Sequence, residues 1–291
     1  MKKTWIITAI SSLIAVISLY LLINFAFFSN DDPIESWEQE KMNYTEIHKI
    51  TKGKNQKIAL IDSGIVKNEF KKDIQSINYV KDESEFDVNG HGTMMLSLIK
   101  GTEKSPGICP NCSVLSIKVM NKEESIKPKI LADAIDKSIQ AKATVINFSL
   151  GSYFENKLVK KSIQRAIDQG IVVVASSGDY GTPELMFPAN MKNVISVGAI
   201  NRNGKIWNDS NAKNKVDINA PGVDVTAMDL TGENFVSTGT SQATALISGY
   251  VALMKEHNPN ITFDEIKKQL QSINQKKVDY EDFFIQDDES Y

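Results

Sequence analysis

Five short apolar runs, rich in β-branched residues, recur along the chain at 57–62, 114–120, 144–150, 171–175 and 194–199. Each is continuous rather than alternating. A strand with one wet face alternates, whereas a strand buried on both faces does not, so these runs predict a parallel sheet covered on both sides. Helical patterns lie between them. Leu131, Ala134, Ile135 and Ile139 share one face, as do Leu158, Ser162, Ile163, Ala166 and Ile167. A further helix is expected from Ser241 to about His257, stopped by Asn258-Pro259. Thr262-Phe263-Asp264-Glu265 has the capping-box pattern for a last helix through about Leu270. Strand–helix alternation implies a three-layer α/β/α sandwich with a mainly parallel central sheet, assigned to residues 51–275.

The N-terminus carries a different signal. Lys2 and Lys3 precede an uncharged run of 24 residues from Trp5 to Phe28. As a helix it would reach about 36 Å, enough to cross a bilayer. The exit Ala26-Phe27-Phe28-Ser29-Asn30 is a poor signal-peptide cleavage site, so residues 1–30 read as a cytoplasmic stub and a retained signal anchor. With the lysines before the span and Asp31, Asp32 and Glu35 after it, the rest of the chain is expected on the extracytoplasmic side of the cell membrane. Residues 31–50 form a lead segment, with Trp37 and Tyr44 as anchors onto the domain. Residues 276–291 are acidic from Asp279 onward and are expected to be disordered. A net charge of −3 with no basic stripe argues against nucleic acid as a partner.

Cys109-Pro110-Asn111-Cys112 has three readings: a redox pair, half a zinc site or a local disulfide. No further histidine or cysteine stands nearby in the sequence to complete a zinc site, and the pair precedes a strand rather than opening a helix. Outside the cell, a small-loop disulfide between Cys109 and Cys112 is favoured.

Three segments carry the chemistry. Asp62 ends the first apolar run. His91 lies in Asn89-Gly90-His91-Gly92-Thr93. Ser241 lies in Gly239-Thr240-Ser241-Gln242-Ala243-Thr244 at a helix start. Taken singly, these are a strand-end acid, a structural histidine and an N-cap serine. Together they can make a hydroxyl nucleophilic: the histidine takes its proton and the carboxylate fixes the histidine tautomer. Of the chain's three histidines, only His91 is flanked by glycines, which permit close approach of backbone and substrate.

The order Asp–His–Ser and the three contexts resemble the subtilisin-like serine proteases, or subtilases. The resemblance covers roughly residues 36–272. It implies an endopeptidase acting on a peptide or protein substrate, expected as a monomer. Val145-Ile146-Asn147-Phe148-Ser149-Leu150-Gly151 resembles the family's substrate-binding strand. Ser149, Leu150 and Gly151 would form one edge and Ser125, Ile126 and Lys127 the other, gripping the peptide by strand addition. Phe187-Pro188-Ala189 resembles a segment with a cis-proline, and Asn219-Ala220-Pro221-Gly222 matches the family's Ala-Pro-Gly turn. Met186 falls at the floor of the pocket for the residue before the cut, and Tyr180 near its rim.

The chain also departs from the family. Gln242, Ala245 and Leu246 stand where Met, Pro and His are usual. The loop before Pro106-Gly107-Ile108 is shorter than the one that wraps the tight calcium site of secreted subtilisins, so no calcium, other metal or cofactor is expected. No segment before residue 51 fits the family's prodomain. Asp179, in Ala175-Ser176-Ser177-Gly178-Asp179-Tyr180-Gly181, stands where an oxyanion-binding asparagine is usual. An ionised carboxylate cannot donate, so the expectation is a protonated Asp179 beside the Ser241 N–H. At least one animal proprotein convertase similarly carries Asp there. Small anchored members of the family suggest a dedicated processing protease, of which lantibiotic leader peptidases are one group. The rival reading is a catalytically weak or inactive subtilase-fold peptide-binding protein, and a third is an anchored esterase or amidase.

Overall fold

The computed structural model describes residues 36–285, apart from 67–69, 71–72 and 103–104. The stub, the 5–28 run and residues 286–291 lie outside the described residues.

Seven parallel strands form the central sheet: β1 (Lys57–Asp62), β2 (Ile74–Asn78), β3 (Ser113–Lys118), β4 (Val145–Phe148), β5 (Val172–Ser176), β6 (Val194–Ile200) and β7 (Ile218–Pro221). Their order is β2-β3-β1-β4-β5-β6-β7. The five runs read from sequence are β1, β3, β4, β5 and β6. Alternate residues explain their continuous apolarity. Ile58 and Leu60 enter the core on one face of the sheet, and Ala59 and Ile61 that on the other. The edge strand β2 was not read from sequence because it is half wet, and β7 because Asn219 and Pro221 interrupt it. A two-stranded antiparallel hairpin, β8 (Val225–Met228) and β9 (Asn234–Ser237), follows.

The first face is covered by α1 (Trp37–Lys41), α2 (Tyr44–Ile50), α3 (His91–Lys100), α6 (Thr240–His257) and α7 (Phe263–Asn274). The second is covered by α4 (Pro128–Gln140) and α5 (Lys157–Asp168). On α4, Ala134 and Ile135 are buried as expected, while Leu131 and Ile139 are half-buried. On α5, Ser162, Ile163 and Ala166 are buried as expected and Ile167 is half-buried, while at the helix start Leu158 is exposed and Val159 is buried instead. The capping box of α7 forms, with Glu265 Oε2 accepting from Thr262 N–H at 2.8 Å and Thr262 Oγ1 accepting from Glu265 N–H at 3.3 Å. Helix α6 is buried almost all round from Thr240 to Met254, and its small residues permit that. A Cβ on Gly249 would stand 2.2 Å from Ile108 Cγ2.

The described part of the lead segment, residues 36–50, holds two short helices. Trp37 and Tyr44 are buried, and Trp37 Nε1 donates to the Asp224 carbonyl at 2.8 Å. The expectation of a disordered tail is corrected for 279–285. Tyr280 and Phe284 are 3% and 2% exposed and pack edge-on against Tyr250, with Phe284 on the short helix α8 (Asp282–Ile285). The acidic composition had masked a core-forming Tyr280–Phe284 pair.

Candidate active site

In an open α/β sheet, ligands gather at the carboxyl ends of strands where the strand order reverses. Here that point is β1, which has β3 on one side and β4 on the other. Asp62 is its last residue and is fully buried. Asp62 Oδ1 accepts from Ser63 N–H at 2.7 Å and lies 2.7 Å from His91 Nδ1. Its Oδ2 is buried and takes no hydrogen bond among the described residues.

His91 opens α3, and the glycines around it set its place. Gly90 has φ +96°, a left-handed conformation suited to glycine. A Cβ on Gly92 would fall 2.1 Å from the Gly64 carbonyl oxygen, so only glycine lets α3 press against the end of β1. That contact sets the Asp62–His91 distance. Because Nδ1 faces a carboxylate, it carries the proton and Nε2 is left as the acceptor. Burial is the largest single influence on the ring and pushes its pKa down. The Asp62 carboxylate, through charge and hydrogen bond, then Asp87 and Asp179 together outweigh it, and the net direction is up.

Ser241 lies in the first turn of α6. A buried polar chain rivets this turn to the end of β4. Ser248 Oγ donates to Asn147 Oδ1 at 2.8 Å, Asn147 Nδ2 to Ser149 Oγ at 3.0 Å, and Ser149 Oγ to the Ser241 carbonyl at 2.9 Å. The Ser241 hydroxyl donates to the Ser149 carbonyl at 3.0 Å, and no hydrogen bond joins it to the His91 ring among the described residues. Such bonds commonly tighten only when substrate is bound. The Ser241 N–H, in the first turn, has no intrahelical acceptor.

The structure gives Asp179 a task that the sequence did not announce. Its Oδ1 accepts from the Thr240 N–H at 2.9 Å and the Thr240 Oγ1–H at 2.6 Å. Helix α6 begins at Gly239, which has no side chain to cap it, and the Asp179 carboxylate does so from outside.

The expected binding edges lie beside one cavity of about 370 Å³. Its walls include Ile126, Leu131, Leu150, Gly151 and Phe187, with Glu124 and Glu155 among its lining residues. Ser125 and Lys127 are exposed beside it, and Ser149 is buried against Ser241. The Phe187–Pro188 bond is cis. Met186 lies between two glycines: a Cβ on Gly151 would meet Met186 Cβ at 3.1 Å, and one on Gly178 would meet Met186 Sδ at 2.5 Å. Tyr180 is exposed, its ring 5.4 Å from that of Tyr153.

Cys109 and Cys112 form a disulfide, both buried, away from these groups beneath Gly53 and Gly249. Among the described residues no group of three or more His, Cys, Asp or Glu side chains is disposed to hold a metal ion. Sequence reading missed Asp87, Asn147 and Thr240. Only Asp87 carried a signal, an acid just ahead of the Asn-Gly turn before a helix.

The comparisons with known proteins agree with this geometry. The subtilase family profile matches residues 53–283. The chain is 29% identical over 245 residues to the minor extracellular protease Epr of Bacillus subtilis, covering 82% of this chain and 38% of that protein. It is 30% identical over 223 residues to a thermostable alkaline protease of Halalkalibacterium halodurans, covering 75% and 62%. It is 30% identical over 230 residues to subtilisin DY of Bacillus licheniformis, covering 76% and 84%. The first two matches thus span 38% and 62% of those relatives, less than two thirds of each. With the family profile matching most of the chain, and with a parallel sheet, an Asp62–His91 pair and a Ser241 helix in place, the chain belongs to the subtilase family.

Proposed function

We propose that this chain is a serine endopeptidase. Asp62 holds the His91 tautomer and stabilises the imidazolium, His91 Nε2 takes the Ser241 proton and returns it to the leaving amine, and Ser241 Oγ attacks the peptide carbonyl. The Ser241 N–H donates to the developing oxyanion, helped by the N-terminal dipole of α6. The observation that carries this reading is the 2.7 Å contact of buried Asp62 with His91 at the strand-order reversal. No cofactor enters it. The expected result is covalent labelling of Ser241 by a fluorophosphonate probe and cleavage of peptides by the full-length protein. A wild-type chain that neither labels nor cleaves favours the second reading, a peptide-binding protein. The Ser241–Ser149 hydrogen bond and the acceptor role of Asp179 support that alternative.

The proposal includes anchoring by the 5–28 run, with the domain on the extracytoplasmic side, and a processing role. The support is in the sequence: two lysines, then 24 uncharged residues. Among the described residues no helix is long and apolar enough to cross a membrane. Full-length protein is expected in the membrane fraction after alkaline extraction, and soluble protein starting near residue 30 would overturn this.

Specificity follows from Met186. Its side chain fills the space between Gly151 and Gly178, so small or medium residues are preferred before the cut. Met186→Ala is expected to raise kcat/KM for Phe at that position by about 10-fold or more relative to Ala, since each added methylene space is worth roughly that much. A matched peptide series checks it, and an unchanged Phe/Ala ratio refutes it.

A further inference from the structure

Helix α3 begins with four backbone N–H groups that its own turns cannot satisfy. Its N-cap, Gly90, offers no side chain. Three side chains from elsewhere meet the demand. Asn89 Oδ1 accepts from His91 N–H at 3.1 Å. Ser63 Oγ accepts from Gly92 N–H at 2.9 Å. Asp87 takes the rest: its Oδ1 accepts from Gly90 N–H at 2.9 Å, Asn89 N–H at 3.0 Å and Ser63 Oγ–H at 2.9 Å, and its Oδ2 from Thr93 N–H at 3.0 Å and Thr93 Oγ1–H at 2.7 Å. Asp87 is 6% exposed. Ser63 follows Asp62 directly, so one carboxylate joins the exit of β1 to the turn that carries His91. The segment leading into Asp87 is itself held from beneath. The buried Lys118 ammonium, at the end of β3 beside Asp62, donates to the Ser84 and Phe86 carbonyls at 3.0 Å each.

We propose that Asp87 is a positioning residue for the proton-transfer step: it locks the first turn of α3 onto the end of β1 and so fixes the His91 ring against Asp62. The inference rests on the reading of His91 as the general base. It differs from a purely structural cap because Asp87 also places a second negative charge near the ring. The charged groups acting on that ring are Asp62 from β1, Asp87 from the preceding turn and Asp179 from the segment after β5.

The test is Asp87→Asn in the full-length protein. The amide oxygen still accepts from Ser63, Asn89 and Gly90, but the amide N–H groups now face the two Thr93 donors. The expected result is a kcat lower by about 10–10²-fold, as for a small misplacement of a reacting group. KM for a short peptide stays within about twofold. The acid limb of kcat/KM moves down by roughly half to one pH unit, because a negative charge that favoured the imidazolium is gone. Ser63→Ala is the second variant. It removes the hydroxyl between Asp87 and Gly92 but keeps all three carboxylates, so kcat falls by about 10-fold while the acid limb stays.

A folded Asp87→Asn protein that keeps its kcat, or loses kcat with an unmoved acid limb, overturns the proposal. If Asp87→Asn does not fold, an unchanged kcat in Ser63→Ala overturns it. An NMR titration of His91 in the Ser241→Ala background, with and without Asp87→Asn, reads the same shift without turnover. It therefore separates failure of this inference from failure of the protease reading.

Discussion

Ser241→Ala lowers kcat by about 10⁶-fold and abolishes fluorophosphonate labelling, a loss of the size found for the same triad in subtilisin. His91→Ala costs about as much, and the double variant is scarcely worse than either single one. The reason is that the groups act as a unit. Without the hydroxyl there is nothing for His91 to deprotonate, and without the imidazole the hydroxyl is an ordinary alcohol. Asp62→Ala costs less, about 10⁴-fold, because the ring survives and loses only its tautomer and orientation. A peptide-cleavage assay on the three single variants and the Ser241–His91 double variant checks the set. Additive losses would mean that the side chains do not form one proton-transfer system. Folding is not expected to confuse the result at Ser241, whose hydroxyl makes one partly buried hydrogen bond, to Ser149.

Asp179→Asn has the opposite sign. In the wild-type chain the carboxylate is an acceptor at the start of α6, held by the Thr240 N–H and hydroxyl. Asparagine keeps that acceptor through its Oδ1 and replaces the second carboxylate oxygen with an N–H donor. A donor aimed at a developing oxyanion is worth about 10²–10³ in kcat, a range taken from removing one in subtilisin, so kcat rises by up to about 10²-fold while KM changes little. Some stability is lost, since a negative charge at a helix N-terminus contributes about 0.3–1 kcal/mol.

The pH profile moves as well. Asp179 is one of the three carboxylates that raise the His91 pKa above its ordinary value. His91 works as a base only when neutral, so activity is lost as pH falls through that raised pKa. Removing the Asp179 charge lowers it and carries the acid limb to lower pH. A pH series of kcat for both proteins reads the two effects together. If neither kcat nor the limb moves, Asp179 serves only to start the helix.

How far the sequence was legible depends on whether a signal was local. The core strands were, because an uninterrupted apolar run such as 57–62 has few explanations other than burial on both faces. The edge strand Ile74–Asn78 was not, because being half wet erases that signature. Asp62, His91 and Ser241 stood out because each sits in an unusual local context, glycine on both sides of His91 above all. Gly92 shows why that context is needed: the packing of α3 on Gly64 leaves no room for a Cβ. Asn147 and Thr240 act through Ser248 and Asp179, 101 and 61 positions away, beyond the reach of any window of sequence, whereas most partners of Asp87 lie within 89–93 and left a local signal. Asp179 was visible as a departure, but its partner, Thr240, is 61 positions distant.

The way the lead helices are fastened has a mechanical meaning. Trp37 is held by the Asp224 carbonyl, Glu38 by the Thr226 N–H, Gln39 by Ser105 and the Pro106 carbonyl, and Asn43 by Glu281 beside the last described helix. A pull that reaches Ser36 therefore acts directly on these fastenings. Tension is shared at once among the β8–β9 hairpin, the short turn behind α3 and the C-terminal aromatic cluster. The domain resists traction from its N-terminal side as one body, and breaking loose means tearing side chains out of the core.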